Sequence, residues 1–454
     1  MQSENVLPAA AAVAPPAVAG TSTLQRSPMS WVPTLYFAQG LPYFVVTGLA
    51  TLLLADLGMP DERVTKWLSL LGVAWIVKPL WSPFLEALSS KRRLVVIFQL
   101  LGALAMGAIA VALNFSFAIP ATIALLALLA LISATHDIAS DGCYIASLSD
   151  QKQAEFAGWQ GAFYNIARAF TKGALPWVSG ILVARFGVAM GWSGVFVIAA
   201  VALAALAVYH TRALPDVAAP QVEKHSFGQV ARTLWEVIVD LFSKRGIWFA
   251  ILFVLLFRAG EGQLQAVAQL FLKHPVSDGG LGLSNQDIGT AYGIAGTVAF
   301  IVGSIAGGYF AAWLGLRKAM PALVIAMNLP NLIFWWLSLT HPSSWFLIAG
   351  ALSVETFGYG FGFVGVILFM MQYIAPGRYP TAHYALGTGV MALGNSAAGY
   401  WSGQIETFLG YQHFFLWTVI SALPVLVMSF LIPKRAASNA TDPTVASESV
   451  QMES

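Results

Sequence analysis

Long apolar stretches alternate with short polar connections along almost the whole chain. A helix that crosses a bilayer needs about 20 mostly apolar residues. Twelve segments reach that length, at roughly 31–55, 67–88, 94–114, 119–147, 157–184, 191–212, 246–272, 286–314, 319–340, 345–374, 382–408 and 412–432. Several exceed the minimum, which predicts tilt or extension beyond the hydrocarbon. One connection is long. Between Ala213 and Arg245 it carries Pro215, Pro220 and the amphipathic stretch FGQVARTLWEVIVDLF at 227–242, which predicts a surface helix. The pattern divides the chain into a tail (1–28), a six-helix bundle (29–212), a linker (213–245), a second six-helix bundle (246–433) and a tail (434–454).

Composition narrows the class. Hydrophobic residues make up 58% and charged residues 10%, with a mean hydropathy of +0.72. Soluble domains carry about 25% charged residues, so an all-α polytopic membrane protein embedded in lipid is expected. The net charge of +2 and the lack of a basic stripe with interleaved aromatics give no expectation of nucleic acid. Cys143 is the only cysteine, which excludes an internal disulfide and a cysteine-based metal site. The seven histidines show no HExxH spacing, and no GxxxxGK[ST] loop is present, so neither a metal, a cofactor nor ATP hydrolysis is expected. Residues 1–28 are rich in Ala and Pro, include Glu4 and lack a basic start, and read as a disordered cytosolic tail rather than a signal peptide. The tail after Arg435 reads likewise.

Lysine and arginine in the connections set the expected orientation. With the N-terminus cytosolic, that side holds Lys91, Arg92, Arg93, Lys152, Lys244, Arg245, Arg317, Lys318, Arg378, Lys434 and Arg435. The other side holds Arg63, Lys66, Arg185 and Lys273. Both termini and the linker are therefore expected in the cytosol.

Charges inside apolar helices are costly and face a cavity or a partner. They are Lys78, Asp137, Asp141, Arg168, Lys172, Arg258, Glu261 and Glu355. Asp137 and Asp141, four apart, share one face of the fourth helix. At equal depth the fifth helix offers Arg168, with Lys172 one turn deeper, so Asp137 is expected to pair with Arg168. That cluster reads either as a structural ion pair or as a proton or substrate site. Lys78 lies mid-helix in KPLWSP (78–83), too deep to snorkel easily, and is expected to face a cavity, with Pro79 and Pro83 loosening the helix. Arg258 and Glu261 are three apart and either neutralise each other or face the cavity. Glu355 has no opposite charge near it in the glycine-rich ETFGYGFG (355–362), which makes it a candidate proton carrier, with Tyr359 on the same face. Tyr36, Gln39 and Tyr43 form a stripe on the first helix that reads as a cavity wall or as core. Most other aromatics, Trp75 among them, read as interfacial belt or packing. Asp141 and then Asp137 are the first choices for proton coupling, with Glu355 as the alternative.

Six helices, a cytosolic bridge and six more is the layout of the major facilitator superfamily, whose halves enclose a cavity near the bilayer midplane. Basic turns follow the second helix (SSKRR, 89–93) and the eighth (GLRK, 315–318). FAQGLP (37–42), KPLWSP, the basic turn and THDIASDG (135–142) occur in an order that resembles the AmpG-like permeases, a branch of that superfamily. The resemblance implies proton-driven import of muropeptides, amino-sugar or glycopeptide cell-wall fragments, across the bacterial inner membrane; a monomer is expected. Departures are His136 before Asp137, Gly142 after Asp141, and Asn395 where relatives commonly have arginine. A siderophore or acyl-coenzyme A transporter, a membrane-embedded sugar-modifying enzyme and a ligand sensor are the alternatives. His136 and Asp137 are adjacent and diverge by about 100° on a helix, so they form no dyad alone.

Overall fold

The computed structural model describes residues 27–78, 81, 90–148, 150–216, 227–377 and 379–433. Residues 1–26 and 434–454 of the expected tails, Pro79, Pro83, Arg378 and most of the second apolar segment beyond Lys78 lie outside the described residues. Every regular element among the described residues is helical. Nine helical stretches among them are long and apolar enough to cross a membrane.

In chain order these are α1 (Pro28–Asp56), α3 (Lys91–Ala112), α4 (Ala118–Ser147), α7 (Ile247–Lys273), α8 (Asn285–Leu314), α9 (Leu316–Thr340) and α10 (Trp345–Ile374), with two longer stretches. Each longer stretch is two legs joined by a glycine of positive φ, Gly187 (78°) or Gly410 (70°). A residue with a Cβ rarely adopts that conformation. The legs are α5 (150–186) with α6 (188–213), and α11 (380–409) with α12 (411–430). α2 begins as Asp61–Leu71 and runs on through Val73–Val77. The amphipathic linker stretch is a helix over Phe227–Ser243 that buries Val237 and Leu241 and exposes Trp235.

Within the first half α3 packs on α4 and α6, and α1 packs on α4 and α5. Within the second, α10 packs on α8 and α9, and α7 on α11. The glycines of ETFGYGFG do what small residues do between membrane helices: a Cβ on Gly360 would lie 2.2 Å from the carbonyl oxygen of Phe300 on α8. Two breaks lie beside the midplane. Pro42 leaves α1 without a backbone donor and is followed by a wide turn over Val45–Leu49. α7 is interrupted at Arg258, between Ile247–Phe257 and Ala259–Lys273.

The halves meet from mid-depth, near Ile76 and Gly389, to the end away from the termini. There α2 lies along α11, and α5 along α8.

Candidate functional site

On the side of the cavity nearer the termini, Asp137 of α4 pairs with Lys78 of α2 and accepts a hydrogen bond from Gln39 of α1. One turn on, the Tyr36 hydroxyl donates to Asp141 at 3.1 Å. This corrects the expected Asp137–Arg168 pair. α1 packs against both α4 and α5, so the acidic face of α4 meets α1 and α2. Arg168 instead turns to the other half, with its guanidinium 4.4 Å from the Phe300 ring centre on α8. His136 points away from the acids, into a buried network with Gln99 (3.1 Å), which also meets His210 at 2.9 Å.

A cavity of about 280 Å³ lies between the halves. Arg168 and Lys172 of α5 line it from one half, Arg258 of α7 from the other. Tyr43, Trp75 and Tyr359 add aromatic wall, and Tyr43 meets Trp75 edge to face at 5.0 Å. Arg258 donates to the Tyr359 hydroxyl at 2.8 Å and to Asn395 Oδ1 at 2.6 Å. Arg258 and Glu261 lie within electrostatic reach of each other, but no direct ion pair joins them among the described residues, and the guanidinium donates instead to neutral oxygens. Asn395 accepts where an arginine would meet Arg258 as a like charge.

Glu261 and Glu355 do not line the cavity. Both are almost fully buried behind its wall, within electrostatic reach of each other and of Arg168. Gln265 Nε2 donates to Glu261 at 2.9 Å, and Thr356 Oγ1 to Glu355 at 3.1 Å. On α7, Arg258, Gly262 and Gln265 form the stripe facing the cavity, and Glu261 lies off its edge. The expectation of a cavity-facing Glu261 is corrected accordingly.

The far end is sealed by polar contacts between the halves that the sequence pattern did not single out. Lys273 pairs with Asp56 at 2.6 Å, and Asn285 donates to the same carboxylate at 2.8 Å. His274 and Tyr411 both reach Asp61 at 2.9 Å. The hydrogen bond to Asp61 holds the His274 imidazolium above its ordinary titration range. These residues lie at helix ends, where charges are ordinary, so only their three-dimensional pairing reveals a latch. Trp75, read as interfacial belt or packing, belongs to the cavity wall.

A cavity between two halves, sealed on one side and lined by cations with no ion pair among the described residues, is the geometry of a carrier rather than a hydrolytic site. The family description "Major Facilitator Superfamily" matches residues 32–403. The "Anhydromuropeptide permease" of Escherichia coli (strain K12) is 24% identical over 408 residues, 87% of this chain and 77% of that protein. "Putative transporter AmpG 4" of Rickettsia conorii is 23% identical over 86% of this chain and 93% of its own length. Among solved structures, a D-xylose-proton symporter superposes with a TM-score of 0.68 at 12% identity, covering 89% of this chain and 98% of its own. An inward-facing bacterial homologue of the lysosomal transporter Spinster gives 0.66 at 14%, with 90% and 97% covered.

Proposed function

The chain belongs to the Major Facilitator Superfamily and is a secondary transporter rather than an enzyme, and from that premise we propose that it imports cell-wall-derived amino-sugar compounds of the muropeptide type, with protons, across the bacterial inner membrane. The observation that carries the cargo class is the aromatic, cationic cavity between the halves, which suits an acidic sugar. Relatives named for anhydromuropeptides and AmpG support the same cargo. An acidic siderophore or an acyl-coenzyme A, both anionic and suited to the same cations, is the second reading.

Proton coupling is assigned to Asp141. Asp137 is occupied by Lys78, whereas Asp141 is held by a neutral tyrosine hydroxyl, which leaves its proton free to exchange. Glu355 is the alternative in the second half. The protein works as a monomer with both termini in the cytosol, so the sealed end faces the periplasm and this conformation opens inward. Counterflow tests the function: proteoliposomes preloaded with unlabelled anhydro-muramyl sugar should take up the labelled compound transiently. Absence of counterflow with any muramyl compound contradicts the reading.

A further inference from the structure

We propose that the central cavity grips a carboxylate of the cargo between cations drawn from both halves, Arg168 and Lys172 on one side and Arg258 on the other. The proposal deepens the transport reading and rests on it for the identity of the cargo. The cavity wall holds these three cations, and no Asp or Glu is among its described lining residues. None of the three has a carboxylate within ion-pair distance among the described residues. Lys172 lies within electrostatic reach of both arginines.

Arg258 is the most telling of the three. It is 7% exposed, and its Nε is buried without a partner. Tyr359 and Asn395 fix the direction of its other nitrogens through neutral oxygens, which orient the guanidinium without cancelling its charge. The faces of Phe300 and Phe44 ease the charges of Arg168 and Lys172 at 4.4 and 5.8 Å, a weaker compensation than a counter-ion. Three like charges converging in a confined cavity, Arg258 buried and Arg168 and Lys172 half-buried, repel one another until an anion enters. Glu261 and Glu355 act on the arginines only from behind the wall, where each is hydrogen-bonded, and neither lines the cavity.

A guanidinium fork matches a carboxylate in two-point geometry. Because the cations come from two bodies that move relative to each other, the bound anion lies across the joint and favours their closing around it. A neutral analogue of the same shape fills the cavity and leaves the repulsion in place.

The test uses the purified full-length protein and ligand-induced thermal stabilisation. The panel is anhydro-N-acetylmuramic acid, its methyl ester, acetyl-coenzyme A and a carboxylate siderophore. The acid should bind at least about tenfold more tightly than its ester, as loss of a charge-assisted bond implies. Arg258→Gln and Lys172→Gln should each weaken the acid about tenfold and leave the ester unchanged, with Arg258→Lys recovering part of the loss. Equal binding of acid and ester, or Gln variants that weaken both alike, overturns the proposal while leaving amino-sugar transport standing. If only the carboxylate siderophore binds, with the same dependence on the three cations, the cargo reading falls and the carboxylate clamp stands; if only acetyl-coenzyme A binds, whose charges are phosphates, both fall. A flat response to every acid at millimolar concentration contradicts the clamp. The acid–ester comparison on the unaltered protein decides the matter even where a variant fails to fold.

Discussion

The Asp137–Lys78 pair joins two helices beside the cavity, with side chains 16% and 32% exposed. Removing one partner of a buried pair costs about 3–5 kcal/mol, and partial exposure places this pair toward or below the lower figure. Asp137→Asn should therefore lower the yield of monodisperse protein on size exclusion, and Asp137→Asn with Lys78→Gln should restore it in part. Equal yields for all three proteins would reduce the pair to an incidental contact. Asp141→Asn should fold, bind and exchange cargo, yet lose accumulation driven by a pH gradient. Normal accumulation by Asp141→Asn together with its loss in Glu355→Gln moves the coupling acid to α10. The intramembrane charges stood out in the sequence because each interrupts an apolar run. Their partners did not. Depth counting matched Asp137 with Arg168, but α1 packs on both helices, and depth along the chain carries no information on which neighbour a face meets. Asn395 stood out as a departure, and its bond to Arg258 gives that departure a physical sense.

At the scale of elements, the seal between α5 and α8 depends on the absence of a side chain. A Cβ on Gly293 would lie 2.0 Å from the carbonyl oxygen of Lys172, too close to be relieved by a rotamer change. Gly293→Ala should push the halves apart at the far end without unfolding either bundle. A cysteine at Thr65, which is buried in the neighbouring α2–α11 seam, should then react faster with an impermeant thiol reagent added on that side. The natural Cys143 is buried and gives little background. The latch at the same end should respond to pH. His274 faces Asp61, Glu406, Asp278 and Tyr411, next to Lys273, and its titration is raised chiefly by the bond to Asp61. A raised imidazole contributes fully below its ordinary value of about 6.5 and loses that contribution as pH rises through the folded value. Labelling at Thr65→Cys should thus increase as the far side becomes alkaline, and His274→Gln should flatten that dependence. A pH profile unchanged by His274→Gln would remove the histidine from the latch. The apolar runs marked the elements well, and Gly187 and Gly410 sit where run meets run. The latch was hidden because Asp56, Asp61, Lys273 and His274 occupy helix ends where charge is unexceptional.

For the whole molecule, the lysine and arginine bias predicts that the linker and both termini face the cytosol. Reporter fusions within 213–245 should be active in the cytosol, and periplasmic activity there would invert the topology. The layout of two bundles was readable from the count and spacing of apolar runs, because length and hydropathy are set by the bilayer itself. The cavity's chemistry was only half readable: the cations were visible one by one, but their convergence from two halves needs the fold. The most direct test of transport is accumulation by the full-length protein in proteoliposomes with labelled anhydro-muramyl sugar and a pH gradient, acidic on the side of the sealed end. The expected result is accumulation above the external concentration that collapses with a protonophore. Uptake that only equilibrates, or no uptake while a siderophore or acyl-coenzyme A is carried, would contradict it.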